Sequence, residues 1–273
     1  MNNFLLMDQP IYTKENCFDP FALTDILIEY AGEKKQPILH FWECENFFIL
    51  GMKDTRVPDF SEGIQTIVKN GYTPVIRNSG GLGVICDRGV LNLSLIFPKE
   101  ALETIDHSYE KMYHLIQRVF PELTIDAFEI ENSYCPGRFD LSVNAKKIAG
   151  LSQRRVKGGI AVMMYLSVDG NQNKRGNIVY DFYRASLKDE FGTKGYPSVD
   201  SQSMTTVSDL LGEHLSIDTV KDRVKDILGL KTASIDTYQW IQTNNQEENF
   251  KKRHHSMGER NQKLKEDLYA NFL

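Results

Sequence analysis

The chain has 273 residues, of which 41% are hydrophobic and 25% charged, an ordinary globular composition that excludes a disordered or fibrous protein. Its formal net charge of -5 gives no support to nucleic-acid binding, which needs a basic stripe. The length suits one large domain, or a domain with an appendage, and is ample for a buried core.

The opening MNNFLLMDQPIYT lacks a basic n-region, and no apolar run reaches the roughly eighteen residues of a membrane span. The expectation is a cytoplasmic chain without membrane contact. Cys17, Cys44, Cys86 and Cys135 are irregularly spaced with no CxxC pair, which indicates neither zinc nor a disulfide framework. Asp19 and Pro20 read as a helix start, followed by Leu23, Ile26, Leu27 and Tyr30 at helical spacing up to about Gly32. ILHFWE (38–43) and FFIL (47–50), separated by Cys44, Glu45 and Asn46, predict an early hairpin. A short helix over 62–69 then leads through Asn70 and Gly71 into a strand over 73–77.

Residues 77–97, RNSGGLGVICDRGVLNLSLIF, hold Gly80, Gly81 and Gly83, which let backbone N–H groups approach a ligand closely. A plain turn fits as well, because the stretch lacks both the Walker lysine and the dinucleotide spacing. Strands are expected over 84–86 and 91–97, joined by Asp87, Arg88 and Gly89. A helix over 106–120 carries Tyr109, Met112, Tyr113, Ile116 and Val119 on one core-facing side before Pro121 stops it.

Residues 133–155 read SYCPGRFDLSVNAKKIAGLSQRR. Phe139, Leu141 and Val143 alternate with Arg138, Asp140 and Ser142 as in a half-buried strand, and Asn144 and Ala145 form a tight turn. On a strand returning from Lys146, Lys147 points the same way as Ala149 and Leu151. That hairpin brings a cation toward Cys135, and a thiol beside a cation ionises more easily. The same spacing also suits a small buried cysteine and a solvated lysine.

After a turn at Lys157, Gly158 and Gly159, IAVMMYLSVD reads as a central strand, the third in a row between 139 and 169. From Tyr180 the pattern is helical, with a helix over 207–211 before Gly212. Another is N-capped by Ser216, carries Ile217, Val220, Val224, Ile227 and Leu228, and stops at Gly229. Leu264, Leu268 and Phe272 predict a terminal helix docked by a narrow face. Adjacent His254 and His255 point apart on a helix, so no metal site is expected. The fold class is α+β, a mixed and largely antiparallel sheet with packed helices. A domain over 1–230, with its core at about 35–230, precedes a helical extension over 231–273.

Three segments taken together resemble the superfamily of lipoate-protein ligases, octanoyltransferases and biotin-protein ligases, and imply its catalytic-domain fold. They are Arg77-Asn78-Ser79-Gly80-Gly81-Leu82-Gly83-Val84, then Asp87-Arg88-Gly89-Val90-Leu91-Asn92, and Asn144-Ala145-Lys146-Lys147-Ile148-Ala149-Gly150 with Gln153-Arg154-Arg155. In the best-known octanoyltransferases of the family the cysteine follows the lysine, whereas here Cys135 precedes Lys147. This looks like the Gram-positive branch, whose amidotransferases move octanoyl from the glycine cleavage H protein to the E2 lipoyl domains of 2-oxoacid dehydrogenases.

The resemblance implies that Cys135 is the acyl-thioester nucleophile and Lys147 the cation that activates it. It implies binding of an octanoyl or lipoyl group by Arg77, Ser79, Gly80, Gly81, Leu82, Asp87, Asn92, Gly137, Asp140 and Gly150, with neither metal nor cofactor. The sequence departs from the ligase pattern at Asn78 and Leu82, where the family often has arginine and glycine, so adenylate chemistry and ATP are not expected. Leu82, Val84 and Leu91 are candidate walls of an acyl slot. Octanoyl-acyl carrier protein as donor, or a non-catalytic acyl-protein binding module, are the alternatives.

Overall fold

A computed structural model describes residues 4–101, 103–231, 233–264 and 266. The chain begins with β1 (Leu5–Tyr12), α1 (Asp19–Lys34), β2 (Ile38–Cys44), β3 (Phe47–Leu50), α2 (Phe60–Lys69), β4 (Thr73–Ile76), β5 (Val84–Cys86) and β6 (Val90–Pro98). It continues with α3 (Ile105–Val119), β7 (Asp126–Ala127), β8 (Leu141–Val143), β9 (Lys146–Val156), β10 (Gly159–Ser167) and α4 (Gln172–Leu187). Last come α5 (Val207–Leu211), α6 (Ile217–Leu228), α7 (Thr237–Thr243) and α8 (Glu247–Arg260). Among the described residues, seven strands form one sheet in the order β1-β2-β6-β10-β9-β8-β7, and three form another, β4-β3-β5. Of the described strand pairs only β1 with β2 and β3 with β4 run parallel, so the α+β fold is mixed and largely antiparallel as expected.

The expected early hairpin does not form. β2 is buried between β1 and β6, and β3 instead pairs with β4 and β5 in the second sheet. At the crossing Asn46 takes the left-handed conformation, φ 55°, and Glu45 N–H bonds back to Tyr12 O. Both apolar runs are covered on two sides, a pattern that does not reveal which strand pairs with which. β1 and α1 also lie before the expected core boundary at 35, yet both pack into the main sheet.

The larger sheet is covered on both faces. Leu23, Ile26 and Leu27 of α1 pack on Ile38, Ile96 and Ala161, together with Trp240 and Ile241 of α7. Met112, Ile116 and Val119 of α3, with Val220 and Val224 of α6, cover Leu91, Leu93, Leu95 and Val162 on the opposite face. α1 lies tight against the β9–β10 turn, where a methyl on Gly32 would stand 2.5 Å from Gly159 N. The smaller sheet packs with α2 and α4, which also lie against each other, around Phe48, Ile64, Ile67, Val75 and Phe182.

The capped helices agree with expectation: Ser216 accepts from Thr219 N–H, and Gly212 and Gly229 both have φ 68°. α4 starts at Gln172, earlier than the apolar pattern from Tyr180 suggests, because its buried first turns carry the polar Gln172 and Arg175. α8 runs along α1, where Arg253 pairs with Glu29, and Leu264 is buried in the second core. Leu268 and Phe272 lie outside the described residues. Among the described residues no helix is long and apolar enough to cross a membrane.

His40 of β2 is fully buried, both ring nitrogens lack a partner, and burial lowers its pKa to about 3. The folded pKa lies below the unfolded value of about 6.5, so the unfolded chain takes up the proton first and stability falls as pH drops from about 6.5 toward 3. His40→Leu should remove a loss of ~1.4 kcal/mol per pH unit in that window. Urea melts of both proteins at pH 7 and pH 5 check it; parallel losses would show that His40 does not titrate this way.

Candidate active site

Two loops meet at Cys135. One leaves β4 at Arg77 and carries the three glycines; the other connects β7 to β8. The side chain of Arg77 folds back on its own loop, with Nε donating to Gly80 O at 3.1 Å and Nη2 to Leu82 O at 3.0 Å. Nη2 also lies 3.6 Å from Cys135 Sγ, and Leu82 N–H points at the same sulfur from 3.1 Å. Gly81 has φ 96°, and a methyl there would meet Arg77 Nη2 and stand 2.9 Å from Sγ. Glycine is therefore required both by the backbone conformation and by the space.

The glycine loop is braced from beneath. Tyr183 OH accepts from Gly83 N–H at 3.2 Å and donates to Asp54, whose other oxygen accepts from Gly51 N–H at 2.7 Å. Burial raises the Asp54 carboxyl to about 6. Arg154 ties the same loop to α1, pairing with Asp25 and donating to Asn78 O at 2.8 Å.

Lys147 sits behind Cys135. Its ammonium donates to Cys135 O at 2.8 Å, Tyr134 O at 3.0 Å and Ser133 Oγ at 3.3 Å, and it pairs with Asp140 at 3.0 Å. Burial pushes the Asp140 carboxyl up, while the lysine charge pulls the other way. Asp140 also accepts from Gly137 N–H at 3.1 Å, closing a turn that starts β8 at Leu141 instead of Phe139. Phe139 stacks on Tyr109 of α3.

The expected hairpin forms, with Asn144 and Ala145 at φ 51° and 58°, but the expected direction of Lys147 is overturned. Leu141 faces Ala149 while Ser142 faces Lys147, leaving Ile148 as the extra residue of a bulge. The alternation breaks there: Ala149 joins the core under α3, whereas Lys147 lies against Gly150, where a methyl would be 3.3 Å from its Cε.

In front of Cys135 opens a cleft. Its walls come from α1 (Phe21, Thr24), β2 and β3 (Trp42, Ile49), β5 and β6 (Val84, Asn92, Ser94), and β9 and β10 (Gly150, Ser152, Met163, Tyr165). Arg77, Asn78, Ser79, Tyr134, Cys135 and Lys147 line it as well. Of the residues singled out from the sequence, Arg77, Ser79, Val84, Asn92, Cys135, Lys147 and Gly150 thus share one cavity.

The others are placed differently. Gly80 and Gly81 shape the loop, and Leu82 buries its side chain in the core while offering its N–H. Leu91 faces the α3 side and is not a wall of the cleft. Asp87 is held by Arg175 at 2.7 Å and by Tyr72 OH at 2.6 Å, and Gly137 serves the Asp140 turn. Phe21, Trp42, Ile49 and Tyr165 were missed because apolar residues in a helix or strand read as core. Asn92 and Ser94 left a legible signal, polar residues two apart in an otherwise apolar buried strand.

A buried polar chain supports the floor. Gln172 Nε2 donates to Tyr134 OH at 2.9 Å, Tyr134 OH contacts Tyr165 OH, and Arg175 joins Gln172 to Asp87. Burial raises both phenols above their ordinary value, which keeps the hydroxyls protonated as donors.

Cys44 and Cys86 are fully buried, and Asn92 Nδ2 donates to Cys86 Sγ at 3.0 Å. In the native protein iodoacetamide should modify Cys135 well before Cys44 or Cys86, and Gly81→Ala should slow modification of Cys135 selectively. Peptide mapping by mass spectrometry checks both; equal labelling of Cys86 would contradict this geometry.

Residues 16–229 match the lipoyl protein ligase A/B catalytic domain family. An Oceanobacillus iheyensis protein named octanoyl-[GcvH]:protein N-octanoyltransferase is 42% identical over 248 residues, which cover 89% of this chain and 87% of that protein. A Macrococcus caseolyticus protein of the same name is 39% identical over 247 residues, covering 90% and 89%. The crystal structure of lipoate-protein ligase A bound with ATP shares the fold, with a TM-score of 0.65 at 19% identity over 96% of this chain and 94% of that one. The family match and the kinship over most of the chain agree: the chain belongs to the lipoyl protein ligase A/B catalytic domain family.

Proposed function

We propose that the chain is an acyltransferase that takes an octanoyl group from a lysine of the glycine cleavage H protein and passes it to a lysine of an E2 lipoyl domain, through a thioester on Cys135. The observation that carries this reading is Cys135 Sγ on the wall of a largely apolar cleft, within reach of a backbone N–H and a guanidinium. The names borne by the relatives support the donor and the reaction.

Exchanging one lysine amide for another leaves the bond types unchanged, so equilibrium demands no ATP. The barrier is the difficulty, since direct aminolysis of an amide is slow, and a thioester divides it into two easier steps. The departing lysine amine needs a proton and the incoming lysine ammonium must give one up. Lys147, held at the Cys135 carbonyl, is the proposed carrier. Phe21, Trp42, Ile49, Val84 and Met163 give the acyl chain apolar cover. At about 0.8 kcal/mol per buried methylene, shortening octanoyl to butanoyl forfeits about 3 kcal/mol, enough to select for length.

The test offers apo lipoyl domain three donors: octanoylated H protein, octanoyl-acyl carrier protein, and free octanoate with ATP and magnesium. Transfer from the H protein without ATP is the expected outcome. Transfer from the carrier protein alone would change the donor, octanoylation only from octanoate with ATP would make the chain a ligase, and no transfer at all would leave a binding module.

A further inference from the structure

We infer that the cation serving the Cys135 sulfur is Arg77, acting with the Leu82 N–H, and that Lys147 works on the nucleophile only through its backbone. This rests on the thioester reading above, and it gives the glycine loop a catalytic part in place of the adenylate-binding one.

The partners of the two cations differ in kind. Lys147 Nζ faces four oxygens, on Ser133, Tyr134, Cys135 and Asp140, all within 3.3 Å. An ammonium has three protons, so in the resting site these acceptors saturate it and leave none for the sulfur; only the long contact to Ser133 Oγ, at 3.3 Å, is weak enough to yield to a departing amine. Arg77 is held by two neutral carbonyls, Gly80 O and Leu82 O, and among the described residues no carboxylate lies within ion-pair distance of it. Asp54, beneath the loop, feels the Arg77 charge without a direct ion pair, so the guanidinium keeps Nη2 free to face the sulfur, 3.6 Å from Sγ.

The second donor is fixed by independent means. Burial of the Leu82 side chain in the core directs its N–H at Sγ, 3.1 Å away. Gly81, at φ 96°, leaves open the space that any Cβ would fill between guanidinium and sulfur. Three successive residues thus serve one contact: Gly80 accepts from Arg77, Gly81 makes room, and Leu82 donates.

The chemistry balances as follows. The thiol proton leaves to solvent, and the thiolate rests between Arg77 Nη2–H and Leu82 N–H. Its electron pair forms the S–C bond as the carbonyl π pair moves onto oxygen; collapse then breaks the C–N bond, and the departing lysine amine takes a proton from Lys147. In the second half the acceptor lysine, having returned a proton to Lys147, attacks the thioester. The C–S bond breaks, its pair goes back to a sulfur held by the same two donors, and the second proton shed by the attacking amine passes to solvent, as the first thiol proton did. An anion formed beside a preorganised cation and N–H is a better leaving group, so Arg77 contributes to both halves.

The test is the pH profile of Cys135 alkylation by iodoacetamide, mapped by mass spectrometry in wild type, Arg77→Gln, Arg77→Lys, and Lys147→Gln combined with Asp140→Asn so that no buried charge is left unpaired. Arg77→Gln should move the profile upward by about one pH unit or more and slow alkylation at pH 7 about tenfold, with partial rescue by Arg77→Lys. The Lys147 and Asp140 double variant should keep the wild-type profile while losing octanoyl transfer. Continued protection of Cys86 in the same digests reports an intact fold. A profile that moves in the double variant, or fails to move in folded Arg77→Gln, overturns the assignment. Alkylation needs no acyl donor, so normal alkylation without any octanoyl transfer would sink the functional reading and leave this one standing.

Discussion

The buried ammonium of Lys147 is the constraint on which the site depends. Removing a lysine and a carboxylate from water costs several kcal/mol for each ion, which their attraction offsets only when the remaining donors and acceptors are filled. Here they are filled by Asp140, by the carbonyls of Tyr134 and Cys135 and by the Ser133 hydroxyl. To present those carbonyls the chain turns through Cys135 at φ 48°, a left-handed conformation that a non-glycine residue holds only when its surroundings impose it. The bulge at Ile148 is the other half of the arrangement, for without it Lys147 would point into the α3 core.

The two sheets explain why the cleft lies where it does. Cys135 belongs to a loop at the far end of the larger sheet, and Arg77 to a loop on the edge strand of the smaller one. The space between them is roofed by the first turns of α1 and floored by β6, β9 and β10. The C-terminal segment contributes at a distance: Asn261 donates to Ile76 O at 3.0 Å and accepts from Ile76 N–H at 2.7 Å. That side chain occupies the free edge of β4 one residue before Arg77, protecting an edge and fixing the start of the glycine loop together.

Much of the local structure was legible. Asn144 and Ala145 announced a turn, Ser216 a cap, Gly212 and Gly229 helix ends, alternation announced β8, the turn announced the return in β9, and a nearly continuous apolar run announced β10. What stayed hidden was non-local. Nothing in ILHFWE or FFIL distinguishes a hairpin from two strands in separate sheets, and β1 acquires its meaning only from β2. Cys135 and Lys147 could be named as neighbours, but the bulge that turns the lysine, and the placing of Arg77 at the sulfur, depend on contacts between segments far apart in the chain. The cleft walls were hidden for another reason: Phe21, Trp42 and Ile49 look alike whether they face a packed core or a cavity beside it.

The proposed transfer requires that Cys135 carry the acyl group. Incubation with octanoylated H protein and no acceptor, followed by peptide mapping with and without hydroxylamine, tests it directly. One octanoyl adduct is expected, on Cys135, removed by hydroxylamine and absent from Cys135→Ser, because an alkoxide is far harder to form than a thiolate near neutral pH. An adduct on Cys86, or one that survives hydroxylamine, would contradict it.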